Sequence, residues 1–262
     1  MIKKTILLFV ALICLSSCAV TESINFNEDG SGEYLMDMDM SMFVRVMQDK
    51  TGGGNTEKKD GKVVDSVMYF NDLIKEYGDS LQTLPPEQQK AIQALENMYF
   101  KMKMDENAKE MRFGIGMYFT AIDDLKDINK KINEARKMAD KNGQSDSMKN
   151  TPIGKFMGGD ENDTQYSYTT SSFSRTTTFP EDYNIDEIQE LFEAKDDEDQ
   201  ELIDMFSEAT YRVTYSFPKA IKTINIDQPK FSKDRKQVSY NISWLDYLKN
   251  PKLLDIQITF DE

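Results

Sequence analysis

Strand-like alternation of apolar and polar residues occupies both ends of this 262-residue chain, and it limits the possible folds more than any other feature. Ile24 and Phe26, then Tyr34, Met36, Met38, Met40 and Met42, form two period-2 runs about the turn sequence Asn27-Glu28-Asp29-Gly30-Ser31-Gly32. A Gly-rich turn between two such runs predicts a hairpin. The last quarter repeats the pattern through Tyr211-Val213-Tyr215-Phe217, Ile221-Ile224-Ile226, Val238-Tyr240-Ile242-Trp244 and Leu254-Ile256-Ile258-Phe260. Strands isolated at either end cannot bury their apolar faces, so the two ends must meet. The expected fold is α+β, with an antiparallel sheet built from both ends of the chain and amphipathic helices inserted between hairpins and packed on one face.

The middle changes period. A second hairpin is expected from Phe100-Met102-Met104 and Met111-Phe113-Ile115-Met117-Phe119, joined at Asp105-Glu106-Asn107. Before it, Val63, Val67, Phe70, Ile74 and Tyr77 recur at helical spacing, and a further helix is expected from Pro85-Pro86, which together predict a helical insertion over about 63–97. After it, Ile122, Leu125, Ile128, Ile132, Ala135 and Met138 predict a long amphipathic helix. The segments about 49–62 and 141–163 are polar and glycine-containing and read as mobile loops. Thr164 to Thr178, rich in Thr, Ser and Tyr, suits exposed or edge strands, and Ile185 to Phe192 predicts one more helix.

The N-terminus gives an address. Lys3 and Lys4 precede the apolar run Ile6 to Leu15, the layout of a secretory signal and too short for a span of ~20 residues. Leu15-Ser16-Ser17-Cys18 resembles the lipobox of bacterial lipoproteins, which implies cleavage after residue 17 and acylation of Cys18 with palmitate-type chains. Removing residues 1–17 moves the formal charge from -14 to -16 and leaves Cys18 as the last thiol. A short lipidated tether over 18–21 and one domain over 22–262 are then expected, close to the membrane surface. Anionic headgroups repel such a charge, so acyl chains rather than electrostatics would hold it there. Ala19, in place of the aspartate that retains enteric lipoproteins in the inner membrane, leans toward an outer membrane and a periplasm-facing domain.

Two strand patterns carry a wider resemblance. Glu22 to Gly32, directly after the lipobox, and the pairing of Tyr211-Arg212-Val213-Thr214-Tyr215-Ser216-Phe217-Pro218 with Lys236-Gln237-Val238-Ser239-Tyr240-Asn241-Ile242-Ser243 resemble LppM-type bacterial lipoprotein domains. The resemblance covers the two ends of the chain and implies a lipid-associating envelope module with a curved antiparallel sheet. It carries no catalytic residues over.

Composition removes most reaction chemistry. With no histidine and two cysteines, the chain has no histidine general base, no Ser-His or Cys-His nucleophile pair and no zinc-cysteine or iron-sulfur site. Its pI near 4.6 argues against a nucleic-acid partner. Asn25-x-Asn27-x-Asp29-Gly30 matches the first half of a calcium loop, but Met36 stands where the bidentate glutamate belongs, so a hairpin turn is the better account. The acidic runs Asp196 to Asp199 and Asp160 to Asp163 read as solvated carboxylates. Catalytic, metal and cofactor residues are therefore none. Methionine is the unusual component, and Met36, Met38, Met40, Met102, Met104, Met111 and Met117 fall at strand spacing. They form either a soft core or an adaptable groove for an acyl chain or an apolar partner segment. The expected function is a non-enzymatic, membrane-anchored module binding a lipid or an envelope protein. The alternatives are a carboxylate-dependent hydrolase, with or without a metal, and a structural subunit of an envelope complex.

Overall fold

The computed structural model describes residues 18–42, 44–45, 61–132, 163–179, 181, 190, 193, 200, 203–204 and 207–261. The expected hairpins are present. β1 (Cys18–Phe26) and β2 (Gly32–Asp39) pair antiparallel from Val20 opposite Met38 to Phe26 opposite Gly32. Their turn closes through the Asn27 N–H, which donates to the Ser31 carbonyl at 2.8 Å, and Gly30 supplies the left-handed residue at φ 84°. Asp29 accepts from the Ser31 amide and hydroxyl at 3.0 and 2.6 Å. Those carboxylate bonds serve the turn, as the hairpin reading required. β4 (Met98–Asp105) and β5 (Glu110–Phe119) form the second hairpin, and β5 pairs with β2.

Val63 to Tyr69 corrects the expected insertion. These residues form β3 (Val63–Tyr69), antiparallel to β4, and helix begins only at α1 (Phe70–Glu76), followed by α2 (Gly78–Leu81) and α3 (Pro86–Gln93). The β-branched Val63, Val64 and Val67 favour extended backbone, and a neighbouring strand was there to receive them. The long helix also divides. Ile122–Leu125 is a 3-10 turn, Asp127 takes φ 58°, and a fresh helical turn runs over 128–132 with the remainder outside the described residues. Leu125, Ile128 and Ile132 still reach the core.

The chain ends do meet, but by a parallel pairing. β8 (Thr210–Ser216) lies parallel to β1, with Glu22 opposite Val213, and antiparallel to β11 (Gln237–Ser243), which pairs with β10 (Lys230–Phe231). The large sheet therefore runs β10-β11-β8-β1-β2-β5-β4-β3 and is mixed rather than wholly antiparallel. A second sheet takes the remaining strands, β6 (Asp163–Tyr168), β7 (Ser172–Thr178), β12 (Ile256–Phe260) and β9 (Ile221–Ile224), in the order β6-β7-β12-β9. β6 is an edge strand as expected; β7 is interior and buries Phe173, Arg175 and Thr177. Trp244 leaves the strand pattern and opens α4 (Trp244–Lys249), where the Ser243 hydroxyl accepts from the Asp246 N–H at 3.3 Å and caps the turn.

The small sheet, rather than helices, covers the inner face of the large one around β1 and β8. Phe26 packs against Phe173 at 5.7 Å and Phe217 at 5.4 Å, and Phe217 meets Phe260 at 4.9 Å, so aromatic rings tie the two sheets together. β1 begins at Cys18, whose backbone pairs with Thr210. Residues 18–21 are thus strand, and the expected tether is absent because they find ladder partners in β2 and β8. Residues 46–60 and 133–162, which hold most of the two expected loops, and most of the expected helix over 185–192 lie outside the described residues.

Candidate functional site

The inner face of the large sheet is apolar across β2, β5 and β4, while β1 and β8 beside them lie under the small sheet. Register places three cross-strand rows on this face: Met36, Ile115, Phe100 and Met68; Met38, Phe113, Met102 and Ser66; Met111, Met104 and Val64. Burial falls along them. Met38, Met40 and Met117 are core residues, whereas Met36, Phe100, Met102, Met104, Met111 and Phe113 are half-buried and Met68 is 40% exposed. Of the seven methionines singled out from sequence, then, three belong to the core and four continue it outward as an apolar shelf over β2, β5 and β4. Phe100 and Phe113 stack on that shelf at 6.0 Å. Unbranched thioethers beside two rings give a surface that re-forms around apolar shapes at low cost.

Beside the shelf lies a polar core that the sequence reading missed. Glu22, on β1 between Val20 and Ile24, is 1% exposed. Its Oε1 accepts from the Tyr166 hydroxyl at 3.0 Å and the Tyr215 hydroxyl at 2.5 Å, and its Oε2 from the Tyr211 hydroxyl at 2.8 Å. Arg175, equally buried on β7, sets its Nε 3.4 Å from the same Oε1 and donates through Nη1 to the Thr177 hydroxyl at 3.0 Å. Asp255 stands 3.6 Å from Nη1 and accepts from the Thr177 amide at 2.7 Å. Both sheets contribute, so the cluster fixes their relative position. Enclosure and near-complete hydrogen bonding make it a structural polar core. The Glu22 signal was legible, a carboxylate in the inward phase of Val20, Ile24 and Phe26, whereas Arg175 lies on a Ser/Thr-rich strand with no apolar alternation to mark it.

The surroundings set the ionisation of these groups. Burial first, and the Glu22 charge second, push the Tyr166, Tyr211 and Tyr215 phenols well above the usual value. Burial alone would lower the Arg175 guanidinium, but Glu22 and the phenols outweigh it and hold the charge well above its usual range. A phenol near pKa ~10 when unfolded and higher when folded contributes stability in full below that pH and loses it as pH climbs toward the folded value. Alkaline titration followed by tyrosinate absorbance is therefore expected to show a late class among the twelve tyrosines. Tyr166, Tyr211 and Tyr215 ionise later and together, coincident with loss of circular dichroism; smooth titration of every tyrosine in the folded protein would refute this.

The outer face of the large sheet is different in kind. Tyr99 lies across Gly116, where a Cβ would fall 2.0 Å from its Cζ, and its hydroxyl bonds Glu33. Tyr69 and Tyr118 flank it, 43% and 49% exposed. Asp37, raised by burial against the pull of Arg112, neighbours Asp39, which Arg112 binds at 2.9 Å. Farther across, β8, β11 and the β9–β10 turn enclose a polar cleft of about 540 Å³. Among the described residues no group of His, Cys, Asp and Glu is placed to hold a metal ion, and no helix is long and apolar enough to cross a membrane.

No family model matches the chain, and no curated protein does. Among solved structures it is similar to the NMR structure of the Mycobacterium tuberculosis LppM protein folded domain, at 10% identity and a TM-score of 0.35, with 94% of this chain and 91% of that one covered. That neighbour is of the type that the Glu22–Gly32 and Tyr211–Ser243 patterns resemble. At this identity no ligand or residue role transfers, and the shelf, the polar core and the cleft have to be read from their own chemistry. Cys18 stands at the first position of β1, and Asp163 of the acidic runs opens β6; Asp196 to Asp199 lie outside the described residues.

Proposed function

We propose that this chain is a lipid-anchored, non-enzymatic binding module of the cell envelope, facing the periplasm from an outer membrane, and that its methionine shelf holds an acyl chain or another apolar segment. The observation that carries the reading is the half-buried run Met36, Phe100, Met102, Met104, Met111 and Phe113 on one sheet face. Water contact along such a run is unfavourable by ~25 cal/mol per Å² of apolar surface, and a ligand chain would remove it. The lipobox ending in Cys18 supports the membrane anchor.

The test uses the Cys18→Ser chain without residues 1–17, which carries no acyl group of its own. A fluorescent polyene fatty acid is expected to bind saturably, and Met102→Asp to weaken it about tenfold or more, because the shelf would then present an unpaired charge to the ligand. Chain that binds no such probe, and that is ligand-free by native mass spectrometry when purified from its host, would sink the reading. A protein partner is the second possibility, favoured by edge strand β3, where Val63, Val67, Met68 and Tyr69 are 40–62% exposed. An open apolar edge of that kind receives an added strand.

A further inference from the structure

The cleft on the outer face of the large sheet is lined by Arg212, Thr214, Lys230, Ser239 and Asn241, with Asp227 and Gln228 from the turn beside it. It is separate from the methionine shelf, which lies on the opposite face. Its charge runs against that of the molecule. In a chain of net charge -14, two cations share this cleft with one acid, and among the described residues neither cation has a carboxylate within ion-pair distance.

Arg212 is held ready. Its Nε donates to the Asn241 Oδ1 at 3.2 Å across the β8–β11 ladder, which orients the guanidinium and leaves its two terminal nitrogens without a hydrogen-bond partner among the described residues. The same bond uses the amide oxygen of Asn241, so Nδ2 remains as a donor. Thr214 and Ser239 stand opposite each other one step along the ladder and add two hydroxyls, and Lys230 pairs with Ser239 from the far side. Gln228 is held at φ 53° at the rim, a left-handed position that costs a non-glycine residue free energy and is common where a binding geometry is fixed. A planar fork, an ammonium, hydroxyls and a primary amide form a donor-rich set, suited to a tetrahedral oxyanion with several acceptor oxygens.

We infer that this cleft binds a phosphate group, with Arg212 as its bidentate anchor and Lys230 as the second charge. Position indicates where the phosphate comes from. Arg212 pairs with Thr21, and Thr210, two residues earlier, pairs with Cys18, so the Arg212 row lies about 7 Å along the sheet from the anchoring cysteine. If Cys18 carries lipid, as the proposed function holds, headgroup phosphates of the same membrane lie within reach.

The experiment titrates the full lipidated chain in phosphate-free dodecyl maltoside micelles by calorimetry with inorganic phosphate, glycerol 3-phosphate and dihexanoyl phosphatidylglycerol. Saturable one-to-one binding of at least one of the three is expected. Arg212→Gln is expected to weaken it about tenfold or more, Arg212→Lys by less because charge survives without the fork, and Lys230→Gln several-fold. Lys222→Gln, on β9 in the other sheet, should leave it unchanged. Dihexanoyl phosphatidylglycerol binding about tenfold tighter than glycerol 3-phosphate identifies a headgroup site; equal affinities identify a soluble phosphate ester. Absence of saturable binding by all three probes overturns the inference, and so does binding that Arg212→Gln and Lys230→Gln both leave intact while unfolding midpoints stay at the parent value. The shelf reading would survive either result, since its fatty-acid test does not involve Arg212.

Discussion

Replacing Glu22 with leucine will destabilise the fold by about 3–5 kcal/mol, the usual cost of removing one partner from a buried ion pair. The loss has two parts. Arg175, 3% exposed, keeps among the described residues Asp255 at 3.6 Å and the Thr177 hydroxyl, so an incompletely compensated charge remains inside the sandwich. Tyr166, Tyr211 and Tyr215 together lose their shared acceptor, and unsatisfied buried hydroxyls each cost about 1–3 kcal/mol unless they find new partners. Urea unfolding followed by circular dichroism gives the number directly. Arg175→Met alone should cost a comparable amount, but combining it with Glu22→Leu should cost less than the two single losses added, because neither charge is then left alone. Strict additivity, or a Glu22→Leu loss below about 1 kcal/mol, would show that the cluster is not a coupled unit. None of this makes the pair a net source of stability over an apolar core. Its evident role is specification, since its members come from β1, β6, β7 and β8 and tolerate one placement of the sheets.

Phe173→Ala should be nearly as damaging, at about 3–5 kcal/mol, the range for removing a large buried ring. Phe173 is 1% exposed and sits at the crossing of the two sheets, 5.1 Å from the Tyr215 ring, 5.2 Å from Phe217 and 5.7 Å from Phe26. Phe26 and Tyr215 belong to ladders, and the Phe217 N–H is tied to the Lys236 carbonyl at 2.8 Å, so the three cannot collapse into the space left behind. Phe173→Leu fills much of the volume and should cost less than half as much. The same urea measurement on both variants distinguishes cavity formation from loss of ring contacts. Equal losses for alanine and leucine would assign the effect to the rings instead.

Much of the strand content was readable because period-2 alternation is a local property. Ile24, Phe26, Tyr34 and Met38 announce their hairpin within twenty residues. The errors share one physical origin. Val63, Val67, Phe70 and Tyr77 satisfy a helical period, yet Val63 to Tyr69 becomes strand because β4 offers it a ladder, and a partner 30 or more residues away leaves no mark in a local window. Parallel pairing of β1 with β8, and division of the strands between two sheets, are equally non-local. Of the seven methionines read as either core or groove, Met38, Met40 and Met117 are core, while Met36, Met102, Met104 and Met111 are half-buried on the same face. Period 2 fixes the face on which a side chain stands, but how much of that face is covered depends on the width of the other sheet. Glu22 could have been found by asking why a charged residue occupies the inward phase of an apolar strand; Arg175, on a Ser/Thr-rich strand, could not. Arg212 and Lys230 could not, since outward polar residues on a strand are ordinary.

The β1–β8 pairing also sets a timetable. Glu22 and Tyr211 are 189 positions apart, and β1 is an interior strand of the large sheet, so the strand nearest the exit end of an emerging chain must wait for one of the last to arrive. Pairings across such separations are slow to form, because the entropy of closing the loop is lost before any contact is gained. Until β8 arrives, β1 and β2 present an unfinished sheet edge and a buried-to-be carboxylate to solvent. Refolding should accordingly be slow for a domain of this size, with the β4–β5 hairpin protected from amide exchange before β1. A cell exporting this chain would need something to occupy that open edge during the wait.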